Sequence, residues 1–391
     1  MPPRTNTGAG RRPRRRRWLA RACALLAGLA VAFGLAEGYV RWRGLHVARM
    51  EGKSVPVIER VPDPVVGFRL IPGLPVQRYR EADGSERQVL YRINRMGFRG
   101  RPVFESKPDG VFRIAVVGDS FVFGVGVGEE HTLPRLVERL FEREPLPGAR
   151  VQALNFGVPG YAIDQDLRRL QDDALRFEPD LVLLTLYIND AYAMGAVADP
   201  DEEDAASSKL RTPQLEWIDR LGLTGNLRTF PEHSSTAQKW MVAVRKRSRL
   251  VDLLADRLFM RLFTEHTLHV HEHRWREDGP GWNRVREVLA ELRELSEREG
   301  FELHVAFYPL LANLDDYPFH EIHARVRAVC DELGFPFHDL LVPLEGLQAS
   351  SLWAHEQDHH PNALCNAKVS QWLVPRLRAA ITAGADALPD D

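Results

Sequence analysis

Arg113-Ile114-Ala115-Val116-Val117-Gly118-Asp119-Ser120-Phe121-Val122-Phe123-Gly124 is the stretch that decides the fold. Its opening is a short apolar run, the form a strand takes when both of its faces are covered. Gly118 ends the run, and Asp119-Ser120 reads as a strand-to-helix turn. Similar runs recur downstream at Val151–Asn155, Leu181–Tyr187, Leu303–Tyr308 and Phe335–Asp339. Helical patterns fit between them over Leu133–Arg143, Gln165–Phe177, Gly281–Glu299 and Phe319–Leu333, and a last one runs from Asn362 to about Ile381. Strands alternating with helices imply a parallel sheet with helices on both faces. Ligands of such sheets sit outside the carboxyl ends of the strands.

Two regions flank or interrupt this alternation. Residues 44–110 form a Pro-rich segment in which Val76–Arg80 and Gln88–Ile93 read as strands around the hairpin signal Ala82-Asp83-Gly84-Ser85. Residues 192–280 carry an acidic stretch, Asp199–Ser208, and then a mixed-polarity helical pattern over Leu210–Leu262. That region reads as an insertion into the α/β domain.

The N-terminus has a different character. Residues 1–21 hold eight arginines and no acid, so the remaining 44 basic residues face 54 acids and the body carries about −10. This charge disfavours a nucleic-acid-binding body, which needs a basic face. An apolar stretch follows from Trp18 to Val40, broken only by Arg21 and Glu37, with Trp18, Tyr39 and Trp42 suited to membrane interfaces. We read residues 18–40 as a transmembrane anchor, with the basic tail 1–17 in the cytoplasm and the body outside it. A cleaved signal is the alternative, because Gly34-Leu35-Ala36 resembles a cleavage site and Arg15-Arg16-Arg17-Trp18-Leu19 resembles a twin-arginine signal. Three cysteines, Cys23, Cys330 and Cys365, are too few and too scattered for a disulfide framework, and at most Cys330 and Cys365 form one bridge.

The residues with chemistry lie at the expected strand ends. Ser120 follows the first strand, where its hydroxyl would face the ligand crevice and its N–H a developing oxyanion; taken alone, Gly118-Asp119-Ser120 reads more plainly as a turn with an Asp or Ser helix cap. Gly160 lies in Asn155-Phe156-Gly157-Val158-Pro159-Gly160-Tyr161 after the second strand, and Asn189 lies in Tyr187-Ile188-Asn189-Asp190 after the third. A glycine lets its N–H approach an oxyanion closely, and an asparagine amide donates without charge. Late in the chain, Asp358-His359-His360-Pro361-Asn362 places a histidine on a loop, with Pro361 read as the first helical turn beyond it. A serine hydroxyl needs a base, and that base needs a carboxylate to fix its tautomer.

In order and context these four blocks resemble those of the SGNH (GDSL) hydrolase superfamily. The resemblance covers about residues 110–380, and Ile93-Asn94-Arg95-Met96-Gly97-Phe98-Arg99-Gly100 resembles a lead-in of bacterial exported members. It implies a flavodoxin-like three-layer α/β/α domain over residues 111–385 with a parallel five-stranded sheet. It also implies Ser120 as nucleophile, His360 as base and then acid, Asp358 orienting it, and Ser120, Gly160 and Asn189 as oxyanion donors. No metal or organic cofactor is expected. The expected substrate is an ester on a cell-envelope glycan or lipid. A polysaccharide O-acetyltransferase or a non-catalytic envelope binding module are the alternatives, and the oligomeric state stays open. Three features depart from the family pattern: Tyr187 stands where a glycine is usual, the Asp-to-His spacing is two, and Cys365 replaces a common glycine.

Other signals are set aside. His355-Glu356-Gln357-Asp358-His359 matches H-E-x-x-H, but that motif works only on a helix and Pro361 follows closely. His266, His269, His271 and His273 could line one face of a strand, though a solvated surface is the plainer reading. His320 and His323 read as residues on the polar face of a helix.

Overall fold

Every side chain of Leu181–Leu186 is buried, and this strand lies at the middle of the sheet. The computed structural model describes residues 13–46, 50–51, 57–74, 79–81, 86–87, 89, 91–191, 236–355 and 358–386. The hairpin tip at 82–85, the acidic stretch at 199–208 and the first part of the helical pattern, 210–235, lie outside the described residues; beside that tip the described strands are Tyr79–Glu81 and Glu86–Arg87, not the expected Val76–Arg80 and Gln88–Ile93. The described residues fall into two compact units. One holds the N-terminal helix and residues 236–265, and the other holds the rest.

The larger unit is built on five parallel strands: β1 (Val111–Gly118), β2 (Arg150–Asn155), β3 (Leu181–Leu186), β4 (Glu302–Phe307) and β5 (Phe337–Asp339). Their order across the sheet is β5-β4-β3-β1-β2, the flavodoxin-like arrangement. The chain leaves β1 for β2 on one side and then crosses back to β3 on the other. The switch point therefore lies at the carboxyl ends of β1 and β3, where Val116 pairs with Asn155 of β2 and Gly118 with Thr185 of β3.

In chain order the helices are α1 (Pro13–Trp42), α2 (Ser120–Phe123), α3 (Leu133–Arg143), α4 (Ile163–Arg169), α5 (Thr236–Arg247), α6 (Arg249–Arg274), α7 (Pro280–Glu299), α8 (His320–Leu333) and α9 (Ala363–Asp386). Helices α3 and α9 pack together on one face of the sheet, and α4, α7 and α8 pack in series on the other. Local chemistry sets their ends. Pro280 opens α7, and Gly300 and Gly334 close α7 and α8 in the left-handed conformation.

Several expectations need correction. The helix expected over Gln165–Phe177 begins at Ile163, and after Arg169 it continues as a wide turn (Leu170–Ala174) and a tight one (Leu175–Phe177). The histidines at 266–273 lie on α6, not on a strand. A helix puts residues 269 and 273 on one side and residue 271 on the other. Accordingly His271 is buried, and burial pushes its pKa down to about 3. His323 is buried too, with its ring between Asp339 Oδ1 (2.8 Å) and the Tyr317 hydroxyl (3.0 Å). Pro361 is not in the first turn of α9: it ends a strand, and Asn362 Oδ1 caps the helix by accepting from Cys365 N at 3.0 Å. Cys330 and Cys365 are free buried thiols, each pushed up to about 12 by burial.

In the other unit, Trp18–Trp42 of α1 is long and apolar enough to cross a membrane, which fits an anchor or a signal sequence.

The loop after β2 packs onto the turn after β1 without room for a side chain. A Cβ on Gly157 would lie 2.2 Å from Phe123 N and 2.7 Å from Val122 C. Both obstacles are backbone, so neither can rotate away. Gly157→Ala is expected to cost about 1–3 kcal/mol, read as a lower urea midpoint at unchanged m-value. A midpoint equal to wild type would mean that this backbone contact is looser than described.

Candidate active site

Ser120 is the first residue of α2, a single turn held at both ends. Asp119 Oδ1 accepts from Phe121 N at 2.8 Å, and Gly124, at φ 84°, donates to Ser120 O at 2.9 Å. The turn exposes the serine hydroxyl at the carboxyl end of β1.

The imidazole arrives on a hairpin. Strand β6 (Trp353–His355) pairs antiparallel with β7 (Asp358–Pro361), and residues 356–357 at its tip lie outside the described residues. This is the physical reason a two-residue spacing works. Alternate residues of a strand share a face, so Asp358 Oδ1 and His360 Nδ1 meet in a hydrogen bond. On the other side of the ring, His360 Nε2 lies 2.9 Å from Ser120 Oγ. His359 points away and stacks on Trp353, ring centroids 3.9 Å apart. The hairpin also places His355 and His359 on strands, not on the helix that the H-E-x-x-H pattern requires.

Asn189 sits in a short turn after β3, and its Nδ2 donates to Asp119 Oδ2 at 3.1 Å. Gly160 occupies the turn after β2 at φ 85°; among the described residues no hydrogen bond joins it to the others. Ser120 Oγ also lies 3.4 Å from Asp119 Oδ2, so Ser120, His360, Asp358, Asn189 and Asp119 form one hydrogen-bonded chain, with Gly160 outside it. Tyr187 stacks on Phe121 at 4.1 Å between centroids, next to the serine.

Sequence reasoning missed the support around these groups. Arg99 is buried and donates to the carbonyls of Phe123, Gly124 and Val127, each at 2.6 Å, while its guanidinium covers the Tyr91 ring. The Tyr91 hydroxyl accepts from Gly126 N at 2.8 Å. A Cβ on Gly126 would lie 2.5 Å from Ala354 Cβ and 3.7 Å from Asp358 Oδ2, so the clamped loop abuts the hairpin. Asn155 Nδ2 reaches Val122 O at 2.9 Å from the other side. The lead-in at 93–100 was the available signal for Arg99, but its role depends on contacts far along the chain.

The electrostatics divide the carboxyls into two groups. Burial pushes Asp358 up, but the hydrogen bond and charge of His360 outweigh it, and the pKa falls below the ordinary carboxylate value. Asp119 goes the other way: burial raises it despite the Phe121 N–H, His360 and Asn189. Burial also raises Asp166 and Asp190 well above that value, and the neighbouring Asp119 charge adds to it. Neither oxygen of Asp166 has a partner among the described residues. Desolvation thus holds these two acids toward the neutral form.

Among the described residues no three His, Cys, Asp or Glu side chains converge as metal ligands. A cleft of about 500 Å³ beside the upstream segment is lined by Arg95, Met96, Tyr161, Arg168 and Arg176 among others, and excludes Ser120 and His360.

Asp166 yields a test with a defined sign. Its folded pKa is raised, so wild-type stability falls as pH rises from the unfolded carboxylate value of about 4 toward the folded one. Asp166→Asn removes this slope. Urea titrations from acid to neutral pH should show the variant gaining on wild type as pH rises, whereas parallel curves would place a charged, compensated Asp166 in the folded protein.

The model of the GDSL-like lipase/acylhydrolase family matches residues 116–368. Among solved structures, the psychrotrophic esterase EstA from Pseudoalteromonas is 13% identical and aligns over 69% of this chain and 98% of its own, with a TM-score of 0.37. The lipase/acylhydrolase from Enterococcus faecalis is 14% identical over 69% of this chain and 96% of its own, with a TM-score of 0.38. An acetyl xylan esterase, AlAXEase, is 13% identical over 68% of this chain and all of its own, with a TM-score of 0.38. Among curated proteins no relative matches. With the family model spanning most of the chain, from β1 to α9, the protein belongs to the GDSL-like lipase/acylhydrolase family, within the SGNH hydrolases, and is a hydrolase acting on ester bonds.

Proposed function

We propose that the protein is a serine esterase in which Ser120 is the nucleophile, His360 the general base and acid, and Asp358 the group that orients His360. The observation that carries this reading is the run of contacts from Asp358 through His360 to Ser120. An ionised carboxylate only accepts, so Asp358 fixes the proton on Nδ1 and leaves Nε2 as acceptor for the serine hydroxyl.

In this reading Ser120 Oγ attacks the ester carbonyl carbon while its proton passes to His360 Nε2. The carbon–oxygen bond to the alcohol then breaks, and Nε2 returns the proton to the leaving oxygen. A water repeats the sequence on the acyl-serine: His360 takes its proton, and the serine recovers one as the acid departs. The backbone N–H groups of Ser120 and Gly160 and the Asn189 amide receive the oxyanion. Asn189 has two amide hydrogens; the bond to Asp119 takes one and aims the other. Asp119 is a positioning residue here.

The substrate proposed is an O-acyl ester, acetyl or longer, on a cell-envelope glycan or lipid. The support is α1, read as an anchor over residues 18–40 with the tail 1–17 in the cytoplasm. Residues 44–110 then form a juxtamembrane segment, and the hydrolase domain (111–385, with 192–280 as an insertion) lies outside the cytoplasm.

Turnover of p-nitrophenyl acetate and longer esters, and acetate release from O-acetylated glycans, test this directly. Ser120→Ala and His360→Ala are expected to lower kcat by about 10⁴–10⁶, and Asn189→Ala by about 10²–10³ with little change in KM. Retention of wild-type turnover by folded Ser120→Ala would overturn the assignment. Acyl transfer to added glycan faster than to water would make the enzyme a transferase with the same residues.

A further inference from the structure

Helix α1 does not end in isolation. Glu37, in its last two turns, accepts from Ser248 Oγ at 2.8 Å, Arg249 N at 3.1 Å and Leu250 N at 2.9 Å, as well as from Arg41 Nε at 2.6 Å. Arg41 also donates to Arg247 O at 2.7 Å. The first backbone N–H groups of a helix lack intrahelical partners and favour an anion. The carboxylate in the apolar stretch is therefore satisfied by the start of α6. This fixes the α5–α6 junction to the end of α1. Five residues separate Glu37 from Trp42, a rise of about 7–8 Å, comparable to the depth of a headgroup layer.

The surface of α5 and α6 at that level is unlike a solvated one. Val242, Arg245, Asp252 and Ala255 are buried. Arg245 and Asp252, seven residues apart across Ser248, form an ion pair of 3.0 Å, so a seven-residue step keeps to one side of both helices. Trp240, Arg247 and Leu254 follow the same step. Trp240 is 65% exposed and Leu254 58%, and Leu258, one turn on, is exposed as well. Exposed Lys239, Lys246, Arg249 and Arg257 surround them. Residues 236–262 carry seven Lys or Arg against two Asp, about +5 in a chain of net −2. Large apolar side chains set among cations mark a helix that lies in a membrane interface.

We propose that α5 and the first half of α6 lie on the bilayer that α1 crosses. Trp240, Leu254 and Leu258 enter the boundary between headgroups and acyl chains, and the flanking lysines and arginines bind anionic phospholipid headgroups. The proposal rests on α1 being a membrane span. A bilayer is favoured over a protein partner because the face begins where the apolar helix ends and carries the charge opposite to anionic lipid.

The test uses the full chain in vesicles of phosphatidylcholine, with or without phosphatidylglycerol. A Cys23→Ala background leaves only the two buried thiols. Spin labels are then placed through Ala30→Cys, Trp240→Cys, Leu254→Cys and Leu258→Cys, one at a time. Expected are oxygen-to-nickel-chelate accessibility ratios at 240, 254 and 258 several-fold above a water-exposed label, and below that at 30. Nickel-accessible labels at 240, 254 and 258, with 30 in hydrocarbon, would overturn the interfacial face and keep the span. Nickel access at all four would remove the span itself. Lys246→Gln with Arg247→Gln should reduce immersion in phosphatidylglycerol vesicles alone, and an equal response in both lipids would overturn the recognition of anionic headgroups.

Discussion

Three strand ends meet at one backbone turn, and the geometry of the site depends on that contact. A Cβ on Gly118 would lie 2.6 Å from Thr185 O of β3 and 2.8 Å from Val122 Cγ2. Gly157, after β2, presses as closely on the same turn from the other side. Backbone at van der Waals distance on both sides leaves little freedom for the Ser120 peptide. The loops that carry Gly160 and Asn189 are held beside it by the register of β2 and β3 on β1. The parallel sheet thus does more than supply a core: its switch point brings together groups that are far apart in sequence.

The hairpin that brings His360 is positioned by different means. It pairs only with itself among the described strands; besides His360, which meets Ser120 and the Phe121 ring, Ala354 abuts Gly126 in the loop after the serine turn. That loop is in turn tied by Arg99 and Tyr91 from the upstream segment. A buried guanidinium on three carbonyls is a strong tie, because charge-assisted hydrogen bonds in a low dielectric exceed neutral ones. The carboxyls complete the picture. Asp358 is kept ionised by the imidazole it faces, while burial outweighs the Arg169 charge near Asp166 and the Tyr187 N–H at Asp190.

Much of this was legible in the sequence. The four longer strands are where their apolar runs put them, because burial on both faces demands such runs, whereas the edge strand Phe337–Asp339 is shorter than expected and only partly buried. Ser120, Asn189 and the Asp358/His360 pair, each ordinary when read alone, were singled out together by the resemblance of their four blocks, and hydrogen bonds bring them together in the fold. The failures share a cause, which is that tertiary contact overrides local pattern. His269, His271 and His273 alternate like a strand, yet they belong to a helix whose buried side takes His271. His323 looked like a surface residue until Asp339 and Tyr317 supplied its partners. Pro361 fits a first helical turn by preference, but pairing with Trp353 keeps it in the hairpin. Nothing local announces that Arg99 reaches the loop after the serine.

In the proposed mechanism everything depends on activation of Ser120 by His360 within the folded site. The most direct measurement is covalent capture: a fluorophosphonate is added to the intact protein, and the modified peptide is identified by mass spectrometry. A single adduct on Ser120 is expected, lost after denaturation and strongly slowed in His360→Ala. An adduct on another residue, or equally rapid labelling of Ser120 without His360, would contradict it.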